Sequence, residues 1–448
     1  MTRWIIFAEG DAPASFEPLG QLRPPCLLRN GAWTIAERWI QLLRPAVVTV
    51  AVRPELATLV GDQTDWKVNN LPDGSPDDVW LITGAASPVR DARWEKSAFA
   101  SRFVWRDGHD AVIRLDAQAW GALRNRLSQW VIAGGAGSIP SMGENPAVEK
   151  GPIASATGLW DLVNRLNEQL EFDWETWRAI HGQGAGLGSI HHESAVVLQP
   201  DGVWTGRGVQ IGPHTVIDAR SGPVILDEGV MIEPFTRLDG PAYVGPRTVL
   251  TGGKITGGCA FGPGCKLGGE IEASIFQGFA NKVHEGFLGH SFVGEWVNLG
   301  ALTTNSDLKN NYGRVRVKQG GQTVDTGCLK AGSYLSDHTK TAIGTLLPTG
   351  SSTGVGVNLL GGLAPKSVPP FVWGSDGAFV EHRLDQMIET ARIAIKRRGH
   401  VLKSVGRADL LTGGEESAIR NLFSISAPIR ASFLRDMANP AGQRAADT

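Results

Sequence analysis

The chain has 448 residues, with 43 Lys and Arg against 45 Asp and Glu and a formal net charge of −2. That length supports two or three domains with a sizeable core, and the balanced charge lacks the basic excess of a nucleic-acid or membrane-surface binder. Glycine, at 57 residues, exceeds the usual ~7% without a collagen period, and Cys26, Cys259, Cys265 and Cys328 form no close pair, which fits a reduced, cytoplasmic setting.

The start, MTRWIIFAEGDAP, is too short in its apolar run for a signal peptide, and Pro45 to Val52 falls far below the ~20 residues of a spanning helix. Over the first part of the chain strand and helix patterns alternate, which predicts an α/β, Rossmann-like domain with a parallel sheet over residues 1–150. Arg3 to Glu9 and Ala46 to Val52 read as buried strands, with helical spacing from Thr34 to Leu43 between them. PELATLV and DDVWLITG extend the alternation. The Gly/Pro-rich tract Ala133 to Pro152 reads as a linker. A helical connector follows over 151–188, carried by a strong helix from Trp160 to Ile180.

From about Ser189 the period changes. Leu226, Ile232, Leu238, Val244 and Leu250 recur at six-residue intervals, each followed by Asp, Glu, Gly or Thr. Ile211 and Ile217 keep the step, as do Ile255, Phe261 and Leu267 after a one-residue slip. Glycines recur in sixes at 332, 344, 350, 356 and 362, with His338 in the skipped place. A hexapeptide period means a β-solenoid over residues 189–373, in which the apolar residue points inward and the small one turns the corner. Two prolines stop the ladder before Trp373; a C-terminal helical segment follows over 374–436, with a helix from Asp376 to Gly399 and a second candidate at EESAIRNLF. Residues 437–448 read as a disordered tail.

Polar chemistry concentrates in NKVHEGFLGHSFVGEWVNLGALTTNSDLKNNYG, residues 281–313. The Asn-rich segment from Thr303 to Gly313 reads as a loop leaving the solenoid at a corner beside His284, where it makes a cleft open to completion by a neighbouring subunit. Histidine takes a proton near neutral pH, as acyl transfer to an amine requires. Ordinary surface roles for His284 and His290 stay open. So does zinc held between subunits by His284, His290 and His338, although no metal site is singled out by their spacing.

The hexapeptide tract with this segment resembles the left-handed parallel β-helix acyltransferases. More narrowly it resembles the bifunctional sugar-1-phosphate nucleotidyltransferase/N-acetyltransferases of UDP-N-acetylglucosamine synthesis, and Phe16 to Trp39 is similar to the opening of a divergent branch. The resemblance implies a left-handed β-helix, a homotrimer with acyl sites between adjacent solenoids, and acetyl-CoA as co-substrate. Carried over by position, His284 is the catalytic base, Asn298 orients the substrate, and Ala301 lies near the thioester. Asn311 takes the place of a loop asparagine, beside Tyr312, with Asn305 or Asn310 as substitutes. Phe287 replaces a tyrosine that contacts the sugar phosphate. Glu270 and Glu272 stand where a lysine is expected, leaving Lys282, Arg247, Lys254 and Lys266 as substitutes.

In the first domain the resemblance implies nucleotidyl transfer with magnesium and a nucleoside triphosphate. The G-x-G-T-R loop is replaced by EGDAPASFEPLGQLRP, and Gly84 and Ala85 stand in place of a metal-holding aspartate. Arg23 and Arg29 remain as phosphate candidates and Asp11 as a metal ligand, with purely structural roles equally open. Two alternatives follow: a nucleotidyltransferase with the solenoid as a trimerisation scaffold, or a non-catalytic scaffold that binds sugar nucleotides.

Overall fold

The computed structural model describes residues 2–10, 13–71, 73–90, 103–135, 139–140, 148–186, 192–375 and 378–438. Asp11 and the predicted tail from residue 439 onward lie outside them. The N-terminal sheet is built from β1 (Arg3–Ala8), β2 (Val47–Ala51), β3 (Lys67–Val68), β4 (Asp78–Thr83), β5 (Phe103–Asp107), β6 (Asp110–Asp116) and β7 (Val148–Glu149). Their spatial order is β3-β2-β1-β4-β6-β5-β7. The first four run parallel, as the alternation predicts, whereas β6 is antiparallel to both β4 and β5. The β5–β6 pair is a tight hairpin, a connection that only antiparallel strands allow.

Helix α1 (Ile35–Leu43) starts at Thr34, whose side chain and Glu37 form a reciprocal capping box. Helix α2 (Pro54–Gln63) follows β2, and α3 (Ala117–Ile132) follows β6. The single helix expected from Trp160 to Ile180 is broken in two, α4 (Leu159–Asn164) and α5 (Leu166–His181), because Arg165 leaves helical geometry at φ −93° and ψ 5°.

The solenoid has three faces of stacked parallel strands. The first face runs through Val216–Asp218, Thr236–Asp239, Phe287–Gly289, Thr304–Asn305 and Thr345–Leu347. Val224–Leu226, Ala242–Val244, Cys259–Phe261, Phe292–Val293 and Ser333–Leu335 lie on the second. The third runs through Met231–Ile232, Asn281–Lys282, Asn298–Leu299, Lys340–Thr341 and Asn358–Leu359. Val249–Thr256 and Lys266–Glu272 are long enough to bend from the third face onto the first, with the irregularity between Leu250 and Gly253. All the hexad residues named from the sequence between Ile211 and Leu267 are buried. Corners need left-handed backbone, and along the corner between the second and third faces glycines (Gly229, Gly264, Gly356) share the task with non-glycines: Arg247, Phe279, Trp296, His338 and Phe371 all have positive φ.

The predicted helix from Asp376 begins as a strand instead: Ala378–Glu381 pairs antiparallel with Val372–Ser375 and closes the last coil. Helices α6 (Leu384–Arg397), α7 (Gly399–Ser404), α8 (Gly413–Ile425) and α9 (Ala427–Ala438) follow. Phe433 and Leu434 of α9 pack on the solenoid core, while α8 returns to α2 of the first domain, where the Gly414 amide donates to Asp62 Oδ2 at 2.8 Å.

Candidate functional site

His284 sits at the corner between the third and first faces and is exposed. The register Asn281↔Asn298, continued by the Leu302 amide donating to the Glu285 carbonyl at 2.8 Å, stacks His284 directly against Ala301 of the next coil. Such neighbours lie ~4.8 Å apart. The Ala301 carbonyl accepts from the Gly344 amide at 2.9 Å, whereas its own N–H has no hydrogen-bond partner among the described residues. An exposed imidazole and an unspent backbone donor therefore share one corner. Asn298, on the outer side of the third face, accepts a hydrogen bond from Asn281 Nδ2 at 3.0 Å. Phe287 is half-buried on the neighbouring first face.

Two sequence expectations fail here for a packing reason. Lys282 occupies the inward row that runs Ile211, Ile232, Leu250, Leu267, Lys282 in register, so its side chain enters the coil. Its Nζ donates to the carbonyls of Gly268 (2.9 Å) and His284 (3.0 Å), and burial pulls its pKa down to about 8, with Glu285 and Glu270 opposing that fall. It braces the His284 corner from inside and is turned away from any substrate outside. Asn305 is likewise buried and fully used: its Oδ1 accepts from the Gly289 amide at 2.8 Å, and its Nδ2 donates to Gly289 O and Ser291 Oγ.

The polar loop does not emerge beside His284. Strand Phe287–Gly289 crosses a whole face between positions 284 and 290, so the two histidines stand at opposite ends of it. The excursion leaves at the His290 corner, where His290 Nδ1 and Asp307 Oδ2 are 2.8 Å apart and Lys330 Nζ lies 3.1 Å from Glu272 Oε1. Asn310, Asn311 and Tyr312 are exposed on that loop. The loop continues into a hairpin, Arg316–Gln319 with Gln322–Asp325, which reaches the first domain: Gln319 Nε2 donates to the carbonyls of Ser15 and Thr157. His338 is buried at the third corner with Nε2 3.2 Å from Glu415 Oε1. The three histidines of the zinc alternative thus occupy three different corners, and no group of three His, Cys, Asp or Glu side chains fit to hold a metal occurs among the described residues.

In the first domain the candidate phosphate ligands serve domain docking. Arg23 forms a buried ion pair with Asp337 of the solenoid at 2.5 Å. The Arg29 amide donates to Gln277 Oε1 at 3.0 Å, its guanidinium donates to Ala32 O at 2.7 Å, and it lies over the Tyr243 ring. At the carboxyl ends of β1 and β2 the Glu9 carboxylate pairs with Arg53 Nη1 at 2.5 Å, while Arg53 Nη2 donates to Gly20 O. Beside Gly84 and Ala85 the nearest carboxylate is Asp110, from β6, and it accepts from the Ala85 amide at 3.1 Å. Sequence reasoning missed Asp110 because it arrives on an antiparallel strand that the alternation did not predict. One carboxylate already bonded to backbone does not make a magnesium site, and the described residues supply no partner set for the ion.

Residues 5–180 match a family model described as sugar nucleotidyl transferase. The bifunctional protein GlmU of Methylibium petroleiphilum is 38% identical over 112 residues, covering 24% of this chain and 23% of that protein. GlmU of Paracidovorax citrulli is 32% identical over 173 residues (36% and 35%), and a bifunctional sugar-1-phosphate nucleotidylyltransferase/acetyltransferase of Sulfurisphaera tokodaii is 26% identical over 140 residues (28% and 33%). The chain is similar to these bifunctional proteins over those segments. It spans between 23% and 35% of their length in these matches. Among solved structures, an Arabidopsis UDP-N-acetylglucosamine acyltransferase matches with 15% identity and a TM-score of 0.30, covering 54% of this chain and 96% of that one.

Proposed function

We propose that this divergent relative is a sugar-phosphate-modifying transferase whose solenoid moves an acetyl group from acetyl-CoA to the amine of an amino-sugar 1-phosphate. The observation that carries the reading is the exposed His284 in register with Ala301 of the next coil, whose N–H has no partner among the described residues. The amine nitrogen attacks the thioester carbonyl, His284 takes the amine's proton, the Ala301 N–H donates to the developing oxyanion, and the C–S bond breaks to release CoA thiolate, which accepts a proton. Asn298 orients the sugar. Phe287 offers an apolar edge in place of a hydroxyl, which loosens recognition of the phosphate.

Beyond His284 the same corner and the first face expose Leu302, Ile343, Leu346, Leu360 and Leu363. An apolar stripe of this kind on successive coils supports burial against further copies of the chain, and a homotrimer closes such a stripe by symmetry. Nucleotidyl transfer in the first domain is a second reading, favoured by the family match over residues 5–180. The commitment of Glu9, Arg23 and Arg29 to protein partners weighs against it and favours a non-catalytic role for that domain.

The test is acetyl-CoA-dependent CoA release with glucosamine 1-phosphate. Replacing His284 with alanine is expected to lower kcat by about 10²–10⁴ with the oligomer intact. Unchanged turnover removes the assignment. A nucleoside triphosphate assay with several sugar 1-phosphates, run with and without magnesium, separates the second reading.

A further inference from the structure

Two histidines at opposite ends of strand Phe287–Gly289 are equipped differently. His284 is exposed and has no carboxylate partner among the described residues. His290, at the corner between the first and second faces, is half-buried, with Nδ1 2.8 Å from Asp307 Oδ2. The two side chains are 14% and 11% exposed, so little solvent screens the contact. An ionised carboxylate only accepts, so Nδ1 carries the proton of the neutral ring and Nε2 is left as the free base. Nε2 has no partner among the described residues and keeps solvent-accessible surface, unlike the sealed Nδ1 of His338.

A cluster on the outer side of the first face surrounds this pair. Glu272 and Gly289 are register partners there, and Lys330 Nζ lies 3.1 Å from Glu272 Oε1 and 3.9 Å from Asp307 Oδ2. A Cβ on Gly289 would come within 2.4 Å of Phe287 Cζ and 2.7 Å of Asp307 Oδ2. Its absence lets the Phe287 ring and the Asp307 carboxylate share the surface over Gly289. Two carboxylates against one ammonium leave one negative charge, which an imidazolium balances as it forms. The difference in equipment matches a difference in acceptor. An amine is already nucleophilic when unprotonated, and a lone imidazole suffices to take its proton after attack. An alcohol is a poorer nucleophile whose proton must leave as the new bond forms. That step needs an imidazole held in one tautomer, with a carboxylate to stabilise the imidazolium.

We infer that His290 and Asp307 form a second acyl-transfer centre on the solenoid, one that acylates a hydroxyl. His290 Nε2 takes the hydroxyl proton while the oxygen attacks the acyl carbonyl of a thioester. The C–S bond breaks, and the departing thiolate takes that proton from the imidazolium. His290 is the catalytic residue, Asp307 the positioning residue, and Phe287 the apolar wall beside the acceptor. The inference rests on the proposed function for its acyl donor alone.

The experiment compares glucosamine 1-phosphate with N-acetylglucosamine 1-phosphate, whose amine is blocked, on the full chain. Acetyl-CoA and, separately, 4-nitrophenyl acetate serve as donors, so that a missing CoA site does not silence the dyad. Hydroxylamine cleaves an ester product and spares an amide. Ester formation on the blocked acceptor is expected, retained in His284→Ala and lowered about 10²–10⁴-fold in kcat by His290→Gln. Asp307→Asn is expected to lower kcat to a similar degree at unchanged KM, because an amide reverses the tautomer, and Asp307→Glu to restore part of the rate. Each variant is assayed below its own Tm, since a purely structural role moves Tm and leaves the kcat of the folded protein unchanged. The inference is overturned if the wild-type protein forms no ester with either donor, if ester formation is lost with His284 instead, or if the folded His290 and Asp307 variants keep the wild-type rate. Amide without ester removes this inference and leaves the acetyl-transfer reading standing; ester without amide does the reverse.

Discussion

His290 Nδ1 lies 2.8 Å from Asp307 Oδ2, joining a solenoid corner to the first residues of the excursion from the next coil. Burial pushes the Asp307 carboxyl up, but the hydrogen bond and charge of His290, with Lys330 nearby, override that and leave it below its ordinary range. The pair is an anchor: the Ala331 amide donates to Asp307 O and the Gly332 amide to His290 O, so both ends of the excursion close on it. Asp307→Asn is expected to cost about 1–3 kcal/mol. A carboxyl whose folded pKa is depressed contributes stability that is present above its unfolded value of 3.8 and lost as pH falls through the lower folded value. The gap between wild type and variant in urea unfolding should therefore be full at pH 6 and shrink below about pH 3.8. A gap independent of pH shows that the carboxylate charge is idle.

Lys282 and Lys340 give a second pH signature. Burial lowers each to about 8 from 10.5. For a base with a depressed folded pKa, the unfolded chain binds the extra proton between those values, so the stability contribution rises as pH rises from 8 toward 10.5. Lys282→Met removes that dependence at one site, so wild type should gain on the variant between pH 8 and pH 9, and the same holds for Lys340→Met. The comparison with each variant isolates the amine from Cys259 and Cys265, whose buried thiols sit at about 12 and act in the opposite direction above pH 9. Parallel unfolding curves at the two pH values refute the buried ammonium.

The solenoid was readable because its inward positions accept little besides compact apolar side chains, so Leu226 to Leu250 announce the period by themselves. Lys282 broke that reading because a long aliphatic stem fits an inward row when its amine reaches corner carbonyls, a solution no hexad pattern displays. The same period contains the separation of the candidate site: six residues carry the chain from one corner to the next, so His284 and His290 cannot share one. The docking of the first domain was not readable. Arg23 and Asp337 are 314 positions apart, and an arginine after an eroded phosphate loop has the composition of a phosphate ligand whichever partner it takes.

The contact between α2 and α8 is set by Gly414. A Cβ there would lie 2.7 Å from the backbone nitrogen of Leu59 and 2.7 Å from the carbonyl carbon of Thr58. Backbone atoms cannot swing aside as a side chain does, so Gly414→Ala is expected to separate the helices at a cost of about 1–3 kcal/mol. Gly413, its neighbour, meets nothing within 4 Å, and Gly413→Ala is the matched control. Limited proteolysis of the α8 segment should quicken in the first variant only. Equal rates in both mean that the C-terminal helices do not depend on this contact.

The Arg23–Asp337 pair decides whether docking is electrostatic or a matter of packing. Burial pushes the Asp337 carboxyl up, Arg23 pulls it back, and Glu295 pushes with burial. Asp337 Oδ1 also accepts the Glu295 amide at 2.7 Å, a bond that asparagine preserves. Arg23→Met strands a buried carboxylate and is expected to cost about 3–5 kcal/mol near neutral pH. The stranded acid is then raised further and favours its neutral form, so the variant should recover stability relative to wild type as pH falls toward 5. Adding Asp337→Asn removes the charge while keeping the amide bond, and the double variant should be more stable than Arg23→Met alone, with a coupling of about 1–3 kcal/mol in the double-mutant cycle. If Arg23→Met and the double variant unfold alike at pH 7, the charges contribute nothing, and the first domain is held by the apolar and backbone contacts around Leu27, Gln277 and Tyr243.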